Sequence, residues 1–253
     1  MPLISIIIAT YNVENDLQKC LNSIVLQIKN IAEILVIDGG STDNTVELIK
    51  SNKKNIAYWI SEPDKGIYDA WNKGILHAKG GWIMFLGADD LLVENTLEIY
   101  REYLEKENSN DNLEFISCKN QIVDSNNKPI RLKGGKFKWP LFLKKMTIAH
   151  PGALHSKILF EKYGNFNPDI KIVGDYEFLL RAGSTLNTHF INRVSVRMRN
   201  GGASDTTASL IEHYKVVTKI AHYSEIPAFF NLMYSYAKFV IRICVNSIYL
   251  IFK

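Results

Sequence analysis

Two adjacent carboxylates, Asp89 and Asp90, follow an apolar run that ends at Leu86. Neighbouring acids repel one another, so a buried pair with no cation beside it is costly. Hard oxygen donors of this kind suit Mg²⁺ or Mn²⁺, held by one or two carboxylates while substrate phosphates complete the shell. Asp90 also stands where a helix N-cap would fall, and Asp is a favoured cap. Asp38 closes a second apolar run and is followed by Gly39 and Gly40, which permit a tight turn and close approach of a ligand. Its carboxylate is able to accept a hydrogen bond from the ring N–H of uracil or thymine, although Asp-Gly is also ordinary turn chemistry. Tyr11 and Asn12 offer a stacking face and an amide to the same base, or simply mark a strand exit. Asp175, in the segment GDYEFLLR (residues 174–181), stands at a predicted helix start. A carboxylate there either caps the helix or takes the proton from an attacking hydroxyl, a contribution of roughly 10²–10⁴-fold.

These residues need a frame that brings them together. Short apolar runs at residues 4–9, 33–38, 57–60 and 82–86 alternate with helical patterns at 14–27, 42–51, 67–78 and 94–105. The alternation predicts an α/β fold with a mostly parallel sheet, its strands buried on both faces by flanking helices. In such sheets ligands gather at the carboxyl ends of the strands, and those ends carry Thr10–Asn12, Asp38 and Asp89–Asp90. The second half is less regular. A long strand is expected at 113–124, a turn at 125–129, a Gly- and Lys-rich loop at 133–138, and short helices at 139–145, 156–163 and 176–182. A further strand over 188–199 is broken by Gly201 and Gly202.

The chain has 253 residues, 47% of them hydrophobic, with a formal net charge of +4. That suits one large domain, read as residues 1–222, with an appendage at 223–253. Basic residues are scattered, with the densest run over 128–145, so nucleic acid is not an expected partner. Phosphate-bearing ligands or an anionic membrane suit the charge better. Three widely spaced cysteines and no basic leader before the first strand point to a reducing, cytoplasmic setting. No G-x-G-x-x-G, P-loop or G-x-S-x-G element is present, and no histidine pair has zinc-protease spacing. His150, ahead of Pro151 and Gly152, opens a segment expected on the side of a second substrate. In the last segment Asn231, Ser235, Lys238, Arg242 and Asn246 recur every three or four residues, one polar stripe opposite a broad apolar face. Two mid-segment cations oppose a membrane-spanning helix. An amphipathic helix lying on a membrane fits, as does one packed on the domain or on a second copy in a homodimer.

The ordered series SIIIATYN (5–12), VIDGGSTDNT (36–45), EPDKGIYDAWNKG (62–74), GGWIMFLGADD (80–90) and GDYEFLLR (174–181) resembles glycosyltransferase family 2, inverting enzymes of GT-A fold. Within it the wording is similar to the branch that builds bacterial O-antigen and capsular polysaccharide. The resemblance implies a nucleotide-diphosphate-sugar donor, with UDP or dTDP expected, and a glycan or lipid-linked acceptor at the inner face of the cytoplasmic membrane. It implies that Thr10, Tyr11, Asn12 and Asp38 hold the base, and that Lys65, Gly66, Asp69, Asn72 and Asp89 contribute to the donor site. Asp90 would bind the metal as part of a D-x-D-type element, Asp175 would be the catalytic base, and Gly201, Gly202 and Ser204 would belong to a loop that closes over the donor. Three positions depart from the family pattern: Gly87 stands where a further Asp is frequent, Gly174 where Glu is frequent, and Trp71 where Arg is frequent. The last removes a phosphate contact that Lys65 is left to supply. Two other readings compete, a non-catalytic nucleotide-sugar-binding subunit and a sugar nucleotidyltransferase. The second normally needs a Gly-rich, Arg-containing loop after the first strand, where this chain has Ala9-Thr10-Tyr11-Asn12.

Overall fold

The computed structural model describes residues 2–106 and 112–251, apart from the side chains of 203, 243 and 245–251. Asn246, expected in the polar stripe, and residues 252–253 of the terminal segment therefore lie outside what is described. The first half builds the parallel layer predicted from the apolar runs. Strands β1 (Ile4–Thr10), β2 (Ala32–Asp38), β3 (Tyr58–Ser61) and β4 (Trp82–Gly87) pair in parallel in the order β3-β2-β1-β4. They alternate with helices α1 (Leu17–Ile28), α2 (Thr45–Ser51) and α3 (Ile67–His77). The runs are continuously apolar because both sheet faces are covered. Ile4, Ile6 and Ile8 point into one core with Leu21 and Ile24 of α1, while Ile7 points into the other with Trp71 and Ile75 of α3. Gly74 lets α3 seat this closely, since a Cβ there would lie 2.5 Å from Ile7 Cγ2.

The second half extends the same sheet with antiparallel pairings. Beyond β4 come β8 (Leu154–Ser156), β6 (Phe115–Val123), β9 (Thr188–Arg199) and β5 (Leu91–Leu92), while β7 (Pro129–Lys133) pairs with the other edge of β6. The β4–β8, β6–β8, β6–β7 and β5–β9 pairs are antiparallel, and β6–β9 is parallel. Helices α4 (Thr96–Lys106), α5 (Trp139–Phe142), α6 (Lys157–Tyr163), α7 (Gly174–Ala182), α8 (Thr207–Lys219) and α9 (Glu225–Ile251) complete the chain.

Several local expectations are corrected. The segment after Asp90 is a two-residue strand, and the helix begins only at Thr96, so Asp90 caps nothing. The turn and loop expected from 125 onward contain β7, an exposed edge strand whose Pro129, Arg131 and Lys133 give no apolar signal. The three-residue β8 and helix α8 are additions. Asp175 is the second residue of α7, whose N-cap position is Val173, so it too is not a cap.

Candidate active site

The parallel register aligns the strand exits. Thr10 pairs with Asp38, Asp38 with Ser61 and Ala9 with Gly87, which sets four strand ends on one line across the sheet edge. Asp38 is fully buried at its centre. Its carboxylate accepts from Thr10 Oγ1 (2.9 Å), Ser61 Oγ (2.7 Å), Ser41 Oγ (2.5 Å) and the backbone N–H groups of Gly40 and Ser41 (3.1 and 2.9 Å). Burial pushes its pKa up, but the donors, Ser41 foremost, outweigh that and hold it below the ordinary value. Five donors already saturate the roughly four acceptor positions of a carboxylate, so a base reaching Asp38 has to displace a hydroxyl such as Ser41. Asn12, with φ of 52°, spends its side-chain oxygen on Thr42 N (2.8 Å) and its own N–H on Ser41 Oγ (2.8 Å). It therefore ties the first exit to the second. Tyr11 beside it is 63% exposed, an unpacked ring at the edge.

Lys65, Gly66, Asp69 and Asn72 lead into α3. Gly66, with φ of 118°, precedes the helix, and Asp69 accepts the Lys65 backbone N–H at 3.0 Å. Asn72 clamps the main chain of Phe166, donating to its carbonyl at 2.8 Å and accepting its N–H at 3.0 Å. Its amide thus fixes α3 to the loop before α7.

At the end of β4, Asp89 is exposed while Asp90 is only 4% exposed. A Cβ on Gly87 would lie 2.9 Å from Asp90 Oδ2 and 3.0 Å from Asp89 Oδ1, so both carboxylates fold back over this glycine. An Asp at position 87 would have to move them, which accounts physically for that departure. Burial and the neighbouring Asp89 push the Asp90 carboxyl up to about 8, opposed by the Gly87 and Arg199 backbone N–H groups and the Arg199 charge. Arg199 offsets little of this, because it forms a bidentate pair with Asp16 at 2.8 and 2.9 Å. Two hard oxygens of uncompensated charge at a strand end fit Mg²⁺ or Mn²⁺ with most of its shell left to phosphate and water. No group of three or more His, Cys, Asp or Glu able to enclose a metal occurs among the described residues.

Asp175 stands at the start of α7, its side chain 23% exposed. The single phenolic proton of Tyr68 in α3 is shared between the Ile172 carbonyl at 2.7 Å and Asp175 Oδ1 at 3.2 Å. The Tyr68 ring explains Gly174: a Cβ there would come within 2.7–2.8 Å of three ring carbons. The space a Glu would take is filled by the tyrosine. Burial raises the Asp175 pKa, while Lys133 and the Tyr68 hydroxyl pull the other way. His150 Nδ1 lies 3.9 Å from Asp175 Oδ2, but the imidazole is 2% exposed, and burial followed by the Lys133 charge holds its pKa down to about 3. It is neutral near pH 7, and the contact is not an ion pair. Trp71 packs against both Phe85 and His150, with ring centroids 4.6 and 5.2 Å away and those two rings 5.7 Å from each other, so an aromatic cluster stands where the resemblance suggested an arginine.

A cleft of about 430 Å³ opens in front of Asp175 and His150, bordered also by Gly201, Gly202 and Ser204. Gly201, with φ of 97°, begins the turn that follows β9. Helix α9 packs on α8 with its polar stripe turned inward: Asn231 donates to the Lys144 carbonyl at 2.6 Å, Arg242 pairs with Asp205 at 2.8 Å, and Ser235 borders the cleft. Its apolar face, carrying Ile226, Phe229, Phe230, Met233 and Ile241, points outward and is exposed. No described helix is long and apolar enough to cross a membrane.

An α/β sheet edge with an acidic pair at one strand exit, a buried Asp38 at another and a carboxylate, Asp175, bordering a cleft has the design of a GT-A glycosyltransferase. Comparison with known proteins agrees: the Glycosyl transferase family 2 profile matches residues 5–165, and the chain belongs to that family. A PGL/p-HBAD biosynthesis glycosyltransferase of Mycobacterium bovis (strain BCG / Pasteur 1173P2) is 33% identical over 212 residues, covering 81% of this chain and 80% of the relative. An uncharacterized glycosyltransferase of Rickettsia typhi is 28% identical over 226 residues, covering 85% and 70%. Among solved structures, S. aureus TarS 1-349 in complex with UDP superposes with a TM-score of 0.66 at 18% identity, over 92% of this chain and 70% of that one. The longer TarS chain is spanned to 41% of its length. The mannosyltransferase PcManGT from Pyrobaculum calidifontis, in complex with GDP-Man and Mn2+, gives a TM-score of 0.60 at 18% identity, over 100% and 81%.

Proposed function

We propose that the protein is an inverting, metal-dependent glycosyltransferase that moves a sugar from a nucleotide-diphosphate donor, a UDP- or dTDP-sugar, to a hydroxyl of a membrane-held glycan or lipid-linked acceptor. Such a step belongs to the synthesis of a bacterial surface polysaccharide. The observation that carries this reading is the Tyr68-held Asp175 at the α7 start, which borders a cleft also lined by Arg199, the residue whose backbone N–H and charge act on Asp90 at the β4 exit. The acceptor oxygen attacks the anomeric carbon from the Asp175 side, its proton passes to Asp175, and the bond from that carbon to the diphosphate oxygen breaks on the far side. Asp90, with Asp89 beside it, would hold Mg²⁺ or Mn²⁺, which when bound neutralises charge on the departing diphosphate. Thr10, Tyr11, Asn12 and Asp38 would receive the base, with Tyr11 free to stack on it. Lys65, whose ammonium makes no hydrogen bond among the described residues, would reach the phosphates in place of the arginine that Trp71 replaces. The UDP and GDP-Man held by the structural neighbours support this kind of donor. A panel of UDP-, dTDP- and GDP-sugars, read by thermal shift and hydrolysis, tests it. A uridine or thymidine donor is expected to raise Tm only when Mg²⁺ or Mn²⁺ is present. Stabilisation that survives a chelator, or none with any donor, would overturn the metal or the donor assignment respectively.

The outward apolar face of α9 supports binding to a membrane surface at the cytoplasmic side. Replacing Phe229 and Phe230 by Ser is expected to abolish co-sedimentation with phosphatidylglycerol vesicles, leaving donor hydrolysis unchanged. If the variant sediments like the wild type, or a concentration-dependent dimer is lost instead, α9 serves as a protein interface.

A further inference from the structure

Seven cations border the cleft in front of Asp175: Arg131, Lys133, Lys144, Lys145, Lys171, Arg199 and Arg242. Three are engaged. Arg199 pairs with Asp16, Arg242 with Asp205, and Lys171 donates to the carbonyls of Lys65 and Pro168. The charged groups of Arg131, Lys133, Lys144 and Lys145 make no hydrogen bond or ion pair among the described residues. Among the described residues, the carboxylates bordering the cleft are Asp175 and the already paired Asp205. Four unpaired cations around one concavity repel one another, and the arrangement is relieved by an anion placed between them.

The four come from two separate stretches of chain that the fold directs to one place. On β7, Arg131 and Lys133 lie opposite Ile122 and Asn120 of β6, and directly opposed residues share a sheet face. Ile122 borders the cleft and Asn120 donates to the carbonyl of Pro151, which also borders it, so this face of β7 turns toward the cleft. Ile130 and Leu132 alternate to the other side. Lys144 and Lys145 follow α5 and face α9, where the cleft adjoins a groove bordered by Tyr234, Lys238 and Arg242. Lys133 is near enough to influence both His150 and Asp175. The Asp89–Asp90 pair sits apart, at the β4 exit, and borders neither opening.

We propose that this basic wall is an acceptor subsite for a phosphate or diphosphate group, so that the acceptor is a phosphate-bearing sugar whose hydroxyl reaches Asp175 while its phosphate rests on Arg131, Lys133, Lys144 and Lys145. The proposal deepens the assignment of Asp175 as acceptor base and rests on it. A Lys144→Ala/Lys145→Ala double variant tests it, because both side chains are exposed and hold no other element. The protein is first loaded with UDP and Mg²⁺, and binding of pyrophosphate, farnesyl diphosphate and farnesol is then measured by calorimetry. Both diphosphates are expected to bind the loaded wild type, with affinity at least tenfold weaker in the variant, farnesol not to bind, and UDP affinity to be equal in both proteins. Tighter binding of farnesyl diphosphate than pyrophosphate assigns a lipid carrier; equal binding assigns a soluble phosphate ester. No diphosphate binding to the loaded protein, or equal binding to the variant, would overturn the subsite. A parallel loss of UDP affinity would also overturn it, by giving these cations to the donor, while failure of UDP to bind the wild type would count against the donor reading alone.

Discussion

Replacing Asp175 by Asn is expected to lower kcat by roughly 10²–10⁴-fold, the usual worth of a positioned general base, while UDP affinity in the presence of Mg²⁺ stays within about twofold. The carboxylate and the amide have the same shape, and Asp175 borders a cleft that the acidic pair does not, so only proton acceptance is lost. Unchanged sugar transfer by the variant would remove Asp175 from the mechanism. The same residue sets the pH dependence. Burial raises its pKa, and the Tyr68 hydroxyl lowers it by donating to the ionised form. A base must be deprotonated to act, so kcat/KM rises with pH through that pKa. Tyr68→Phe removes the donor and moves the acid limb to higher pH, with activity recovered above it. A purely structural role for Tyr68 would depress the rate equally at every pH.

Asp90→Asn is expected to act in opposite directions on function and stability. Sugar transfer should fall at least about 10²-fold, and added Mg²⁺ should no longer strengthen UDP binding, because the buried anionic oxygen that faces the ion is gone. In chelator, however, the variant should be more stable than the wild type. The Asp90 carboxyl is raised from 3.8 to about 8 by burial and by Asp89. The folded state therefore holds a proton that the unfolded chain releases, and wild-type stability declines as pH rises between those values. Near pH 8 the difference reaches a few kcal/mol, on the order of 10 °C in Tm for a chain of this size. Thermal melts at pH 5 and pH 8 with a chelator check this. A gap that fails to widen with pH would mean Asp90 is not an uncompensated buried charge.

The donor half was legible because its physics is local. Short continuous Ile, Val and Leu runs bounded by turn residues read as strands covered on both faces, and acids recur at their exits. Asp38 and Asp90 could be picked out one segment at a time. The other half depends on contacts that sequence spacing hides. Tyr68 reads as one more apolar position of α3, and its hydroxyl meets an acid 107 residues later. Gly174 reads as a missing Glu, but the Tyr68 ring fills the space above it, and Trp71 reads as a missing Arg, but its ring packs on His150. β7 gives no strand signal because an edge strand of alternating cations and apolar residues, opened by proline, resembles a loop. Asn72 stood in the right motif, yet its amide is spent on Phe166.

The alignment of strand exits across the sheet edge divides the chain in a further way. Thr10, Asp38, Ser61 and Gly87 are fixed by a single parallel ladder of neighbouring strands, so none can shift without its partners. The cleft before Asp175 is bordered by residues of β6, β7 and β9, where β6 pairs with the other two, but also by Lys144 and Lys145 after α5, the turn at Gly201 and Gly202, and residues of α8 and α9, which lie outside any ladder. The four strand exits are thus mutually constrained, while the turn, loop and helix residues around the cleft carry no such register. Divergence among relatives of this chain has an inexpensive route: a constant grip at one end of the reaction and changing preferences at the other.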